Sequence, residues 1–418
     1  MGANKIPFKY SIFFIVLLGL QLLQAQSYVP WATGQSRPEN LEIKLVTIGP
    51  GDDLTSWWGH NALIVQDTVL NVSRFYNYGL FSFEQKDFIS NFAMGRLWFW
   101  VGHSSVASSL DFYRKQDRDI LIQTLNLLPE KRMEIASLLV ENVKPENCYY
   151  LYDHYHDNCA TRIRDIVNRA TDNQLYQQST KQSRMTFREH TRCFTDSHFL
   201  MDWLLMFLMN DTIDKPIRQW DAMFLPSELA HFVTNMTYQD STGRRIPLIS
   251  DSYVFNKSKN GKTIPNMAPI HYWPTGFFTG LFFAGLVLFF AFLYRNGHPA
   301  YFKYATLAAG LIFGIPGLVL FLMSLFTNHT VTFYNENLFL ANPLTFAVVF
   351  FAVGYIRDSK ICETWLKFIW YIHALLLCLL LILKISPSFN QDNLLAIVTI
   401  GPITFTFALC HYFFLPEK

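Results

Sequence analysis

The chain is short of charge. Only 16% of its 418 residues are Asp, Glu, Lys or Arg, and the formal net charge is +2. A balance that small supplies no basic field, so nucleic-acid binding is excluded as a function class. Charge is scarcest in the last third, where His373 and His411 are the main ionisable residues inside the long apolar runs. Spans so poor in ionisable groups argue against ion-coupled transport or a charge-moving sensor. Cysteine is scarce too: Cys148, Cys159 and Cys193 precede the apolar block, and Cys362, Cys378 and Cys410 lie in or beside it. The first three close at most one disulfide among themselves, and Cys148 with Cys193 is the pairing that leaves Cys159 as a thiol. Spacing for a closed metal site is missing, although His154 and His156 alternate beside Cys159; no metal and no cofactor is expected. There is no internal repeat and no low-complexity segment, which excludes a repeat array.

What is present is apolar. The chain is 51% hydrophobic and 17% aromatic, too apolar for an ordinary soluble protein and too charged for a pure bundle of spans. Lys5 and Lys9, the apolar run 10–23 and Leu23-Gln24-Ala25 read as a secretory signal over residues 1–25, with an uncleaved anchor helix as the alternative. Residues 26–273 read as an exported globular domain and 274–418 as a membrane domain. Five spans are expected at 274–294, 305–326, 339–356, 366–383 and 394–415, each near the roughly twenty residues a bilayer needs. The third is the weakest, being short and broken by Pro343. The first connection carries Arg295 and Lys303 and the third Arg357, Lys360 and Lys367, whereas the second, 327–338, has neither Lys nor Arg. Positive residues stay in the cytoplasm, so the globular part and the second loop face outward. That loop is polar, and either completes a site at the membrane surface or is a solvated connector.

Within the globular part, apolar and polar residues alternate at 41–49 and 60–66, and β-favouring residues continue through 69–83. A short helix is expected at 84–94, strands at 97–101, 118–127 and 148–152, a helix behind Pro129 to 143, and another at 159–168 behind Asp157-Asn158. Residues 172–272 read as mixed and mostly helical, with 199–208 a core or interfacial helix. The fold class is therefore α+β, an antiparallel sheet packed with helices, followed by an all-α bundle of five transmembrane helices.

Two residue types carry chemistry. Cys159 falls in the first turn of its helix, where unpaired N–H groups can lower a thiol pKa and hold the oxyanion of a tetrahedral intermediate. His60 opens a strand behind Gly59 and is suited to take the thiol proton and return it. Asn77, Tyr78, His103, Asp153 and Asp157 are the candidates for orienting the imidazole, and Asp157 is better explained by helix capping. Arg162, Arg164 and Asp165 suit either a phosphate head group or a solvated helix face.

The Gly59-His60 strand, Asn77-Tyr78-Gly79 with Phe81 and Phe83, residues 123–127 and Asp157-Asn158-Cys159-Ala160-Thr161-Arg162 resemble the Lnb-type periplasmic domain of Bacteroidota. Residues 339–344, with Asn337 and Asn342-Pro343, resemble that family's membrane part. The family is similar to circularly permuted papain-like thiol enzymes, in which His precedes Cys, as in the lecithin:retinol acyltransferase group and permuted NlpC-type enzymes. The resemblance implies a lipoprotein N-acyltransferase at the bacterial inner (cytoplasmic) membrane with its catalytic domain in the periplasm. An acyl chain would pass from a phospholipid donor to a Cys thioester, then to the α-amine of a diacylated lipoprotein acceptor. Carried over residue by residue, His60 and Cys159 hold the catalytic positions, and Asn158 and Arg162 match family positions. Trp57-Trp58 is bulkier than the pattern leads one to expect. A membrane-tethered NlpC-type cell-wall amidase or peptidase is the alternative, but a tether needs one span, and five favour a lipid substrate.

Overall fold

Alternation builds the central strand. In β1 (Leu41–Ile48), Leu41, Ile43 and Leu45 are buried on one face and Val46 and Ile48 on the other, the period-two pattern of a strand covered on both sides. The structure is a computed structural model and describes residues 29–414 except 83, 85, 86, 241, 270 and 271. The signal expected at 1–25 lies outside the described residues. β1 is joined by β2 (His60–Asp67), β3 (Val72–Leu80), β4 (Trp98–Ser104), β5 (Ile120–Leu125) and β6 (Tyr149–Leu151). A hairpin of β7 (Thr237–Gln239) and β8 (Arg245–Pro247) stands apart, and β9 (Ile249–Asn256) closes the sheet edge. The seven-stranded sheet runs β6-β4-β3-β2-β1-β5-β9, with every pair antiparallel.

Helices cover both faces. Leu110 and Tyr113 of α1 (Val106–Lys115) pack with Val46, Ile48, Ala62, Ile64, Phe75 and Ile122. On the opposite face, α2 (Pro129–Asn142) reaches Tyr78 through Asn142, α3 (Cys159–Ala170) lies along β2, and α4 (Pro226–Asn235) accepts Gln123. The registers Ile48↔His60 and Ala62↔Asn77 put His60 and Asn77 on the same face of adjacent strands. Gly59 makes the turn into β2 possible: its φ is +81°, and a Cβ there would stand 2.8 Å from Ile48 O.

The described chain forms two compact units. The first holds residues 29–81, Trp98–Thr180 and Met223–Lys262; the second holds Ser82–Leu97, Lys181–Ala222 and residues 263–414. The second unit is helical, with α5 (Trp273–Arg295), α6 (Ala300–Phe326), α7 (Pro343–Ile356), α8 (Lys360–Leu383) and α9 (Leu394–Leu409). Five stretches are long and apolar enough to cross a membrane: Trp273–Arg295, Ala300–Phe326, Glu336–Ile356, Lys360–Leu383 and Leu394–Phe413. Small residues let helices close up. A Cβ on Gly314 would meet Phe346 Cα at 2.6 Å, and one on Gly280 would meet Val398 O at 2.4 Å.

Several expectations are corrected. Pro343 does not break the third span: it is the first residue of α7, where a missing N–H costs nothing, behind an Asn342 capping box. The loop 327–338 is no solvated connector. Asn335 and Asn337 are buried and donate to Phe207 O at 3.3 and 2.8 Å, while Gln391 donates to Asn335 Oδ1 at 3.0 Å. The stretch 172–272 is not mostly helical at its end, because β9 pairs with β5 although its side chains are largely exposed. The Cys148–Cys193 disulfide is not formed, and all six cysteines are thiols; Cys148 Sγ turns toward Pro145 O at 3.7 Å and Cys193 Sγ toward Met185 Sδ at 3.8 Å.

Candidate active site

The start of α3 is built by Asn158. Its Oδ1 accepts from the Ala160 and Thr161 N–H groups at 2.8 and 3.0 Å, and Thr161 Oγ1 accepts from Asn158 N at 2.8 Å. Such a cap is worth about 1 kcal/mol. Its Nδ2 donates to His154 O at 2.7 Å and Phe224 O at 3.0 Å, fixing the entry of the chain. Cys159 is thereby held as the first helical residue. Asp157, expected as the cap, instead receives Arg162 in a two-pronged ion pair at 2.6 and 2.8 Å. Arg162 in turn lies over the Tyr150 ring, 3.9 Å from its centroid.

Three side chains converge on Gly79, whose φ is +86°. A Cβ built there would stand 3.7 Å from Tyr150 Oη, 3.8 Å from Cys159 Cβ and 3.9 Å from His60 Cε1. The hydrogen atom of glycine leaves that space open between the thiol and the imidazole. Of the five candidates for orienting His60, only Asn77 does so: its Oδ1 lies 2.7 Å from His60 Nε2. Asn77 Nδ2 donates to Tyr113 Oη at 3.2 Å, which fixes the amide with its oxygen toward the ring. Nε2 therefore carries the proton and Nδ1 the lone pair. Tyr78 accepts from Asn142 at 2.8 Å, Asp153 caps the Tyr155 and His156 N–H groups, His103 lies against Tyr76, and Asp157 holds Arg162.

Burial sets the electrostatics. Desolvation, helped by the Arg118 charge and opposed by the Asn77 hydrogen bond, pulls the His60 imidazole down to about 4. The Cys159 thiol is pushed up by burial, against the backbone N–H groups of Asn61, Ala160 and Cys159 and the more distant Arg118. The helix start was expected to lower this thiol; here desolvation of the charged form outweighs it. Both shifts favour the uncharged forms, a thiol on Cys159 and a neutral imidazole on His60.

Sequence reading missed three groups. Tyr150 Oη is buried and, among the described residues, has no hydrogen-bond partner; burial first and Cys159 second push it far above the ordinary tyrosine range. Tyr113 reaches the site from α1, a helix left unassigned in the sequence. Arg118 joins His60, Asn77, Gly79 and Tyr113 in lining a cavity of about 230 Å³. A single aromatic in a short strand carries no sequence signal for such a role, and neither does an arginine at a turn. Among the described residues no three His, Cys, Asp or Glu side chains are grouped to hold a metal ion. His154 packs edge-on against Trp58, 4.7 Å between centroids. In the second unit an apolar cavity of about 540 Å³ is lined by Phe199, Trp203, Phe283, Ala309, Pro316 and Phe407 among others.

Two family models match the chain. The one described as the Lnb N-terminal periplasmic domain matches residues 27–192, and the one described as the Lnb transmembrane domain matches residues 269–412. In that order they account for most of the chain. No curated protein and no solved structure matches it.

Proposed function

Since the chain belongs to the Lnb family, membrane-associated proteins of the lipoprotein-maturation type with a periplasmic domain, we propose that it is a lipoprotein N-acyltransferase working through a Cys159 thioester. The observation that carries this reading is the meeting of Cys159, His60 and Tyr150 over Gly79, with Asn77 fixing the imidazole. In the first half-reaction His60 Nδ1 takes the Cys159 proton as Sγ attacks an ester carbonyl of a phospholipid. The carbonyl π electrons move to oxygen, and the tetrahedral oxyanion forms at the start of α3. There the Cys159 N–H and the unpartnered Tyr150 hydroxyl are the available donors. Collapse expels the lysophospholipid alkoxide, which takes the proton from His60, leaving the acyl group on sulfur. In the second half-reaction the α-amine of a diacylated lipoprotein cysteine attacks the thioester. His60 takes the ammonium proton and returns it to the departing Cys159 sulfur. A thioester is uncharged and accessible to amines, so one thiol serves both halves. The apolar cavity of the second unit and the five candidate spans support a lipid as donor, because a soluble wall peptide has no need of them.

The test is expression of the chain in a strain that lacks its own lipoprotein N-acylation, with mass spectrometry of lipoprotein N-termini. Triacylated N-termini are expected; lipoproteins that stay diacylated while the protein is present in the membrane would sink the reading, and cleavage of a wall peptide by the same preparation would favour an amidase. Tyr150→Phe removes one oxyanion donor and nothing else. It is expected to lower kcat by about 10²-fold with KM nearly unchanged. An unaltered kcat would show that Tyr150 does not face the oxyanion.

A further inference from the structure

Among the described residues four arginines are buried: Arg118, Arg164, Arg188 and Arg192. Three of them hold a carboxylate: Arg164 pairs with Asp165 at 2.8 Å, Arg188 with Asp214 at 2.5 Å and Arg192 with Asp392 at 2.7 Å. Arg118 is the exception. It is only 5% exposed, its Nε donates to Gly49 O at 2.8 Å, and its guanidinium lies 5.3 Å from the Tyr113 ring centroid. Among the described residues no carboxylate lies within ion-pair distance of it, and its Nη2 has no hydrogen-bond partner. A desolvated cation without a counter-charge costs several kcal/mol, and an open pair of N–H donors on a planar fork matches two oxygens of an anion.

The surroundings say which anion. Arg118 lines the same cavity as His60, and Thr55, Ser56 and Gln116 line it too. The Ser56 hydroxyl is spent on Asp53 O at 2.8 Å, but the Thr55 hydroxyl and the Gln116 amide beside a guanidinium are hydrogen-bond donors for a tetrahedral oxyanion. The volume, about 230 Å³, suits a head group and not an acyl chain. Exposed Asp53 lines the same cavity, placed to meet a positive group next to the anion. The arginine that sequence reading offered for a phosphate, Arg162, is taken by Asp157, and Arg164 by Asp165.

We propose that Arg118 is the phosphate-binding residue of a head-group subsite beside His60, and that it selects a phosphodiester lipid over an uncharged glyceride. The proposal rests on the acyltransferase reading for its purpose, but the site itself is testable by binding alone. Anchoring the phosphate here brings the glycerol ester of the same molecule toward Cys159, and so fixes which end of the donor is presented to the thiol. Burial depresses the guanidinium from its usual value, and the Tyr113, Cys159 and Asp53 groups nearby only partly offset it.

The experiment uses the full chain in detergent with Cys159→Ala, so that nothing can react. Binding is measured for dihexanoyl-phosphatidylethanolamine, dihexanoylglycerol and inorganic phosphate. The phosphatidyl lipid should bind on the order of tenfold more tightly than the diglyceride. Arg118→Gln should erase that ratio, and Arg118→Lys, which keeps the charge and loses the fork, should retain part of it. An unchanged ratio in Arg118→Gln, with Arg118→Lys folded and equally indifferent, overturns the proposal. Inorganic phosphate binding as tightly as the lipid makes free phosphate the occupant and overturns the donor assignment. If the ratio depends on Arg118 while wild-type protein leaves lipoproteins diacylated, the head-group site stands and the acyltransferase reading falls.

Discussion

Cys159→Ala should abolish triacylation, by at least ~10⁴-fold in kcat, because removing the nucleophile leaves only binding and oxyanion donors. The loss should come without loss of fold. Asn158 caps α3 through its own side chain and the backbone of Ala160 and Thr161, and the Cys159 sulfur takes no part in that cap. Cys159→Ser should be nearly as inactive, since a neutral imidazole held down to about 4 is a weak base for a hydroxyl far less acidic than a thiol. Wild-type protein given phospholipid and no acceptor should accumulate an acyl mass on the Cys159 peptide that hydroxylamine removes. Triacylated lipoprotein from the Cys159→Ala strain would rule out the thioester.

Much of this site was legible because it depends on local rules. A cap residue before a cysteine predicts a helix start, and the glycine before His60 predicts a turn into a strand. Both follow from backbone geometry over a few residues. The capping role belongs to Asn158, the residue directly before the first helical residue, and Asp157 one place earlier pairs with Arg162, which lies over the Tyr150 ring. What could not be read were contacts across the sheet. Asn77 meets His60 through the β2–β3 register, and Tyr150 arrives on β6 at the sheet's far edge. Register and strand order are long-range properties, and a three-residue strand such as β6 has no periodicity to betray its place.

The direction of the thiol shift was also beyond the sequence. A helix N-terminus lowers a cysteine pKa by partial charge, an effect of about 1 kcal/mol at an exposed site. Burial raises it by an amount that depends on how completely water is excluded, and only the packing of α3 against the sheet determines that. The same rule separates the polar residues of 327–338 from a solvated loop. Asn335 and Asn337 look like a connector in one dimension, but the carbonyls left open at the end of the helix Phe199–Leu208 take their amides.

His60→Ala should cost about 10³-fold at neutral pH, within the usual range for a general acid–base group, and should change the shape of the pH profile as well as its height. On the proposed mechanism the acceptor for the thiol proton is a neutral imidazole, whose folded pKa is about 4. The rate of lysophospholipid release in the first half-reaction should therefore stay level from pH 8 down to about 5 and fall only as His60 is protonated near 4. A preformed thiolate–imidazolium pair would behave differently, with an upper limb where the imidazolium loses its proton. Without His60, attack requires thiolate already present. The rate should then climb about tenfold per pH unit toward the thiol pKa, which burial holds above its usual 9. Stability must be followed in parallel, and its sign is set. The folded imidazole pKa lies below the unfolded value of 6.5, so between those values the unfolded chain binds more protons and stability falls as pH falls. An upper limb in activity, falling as pH rises while the unfolding midpoint stays unmoved over the same range, would mean that His60 is charged at rest and that the neutral-pair mechanism is wrong.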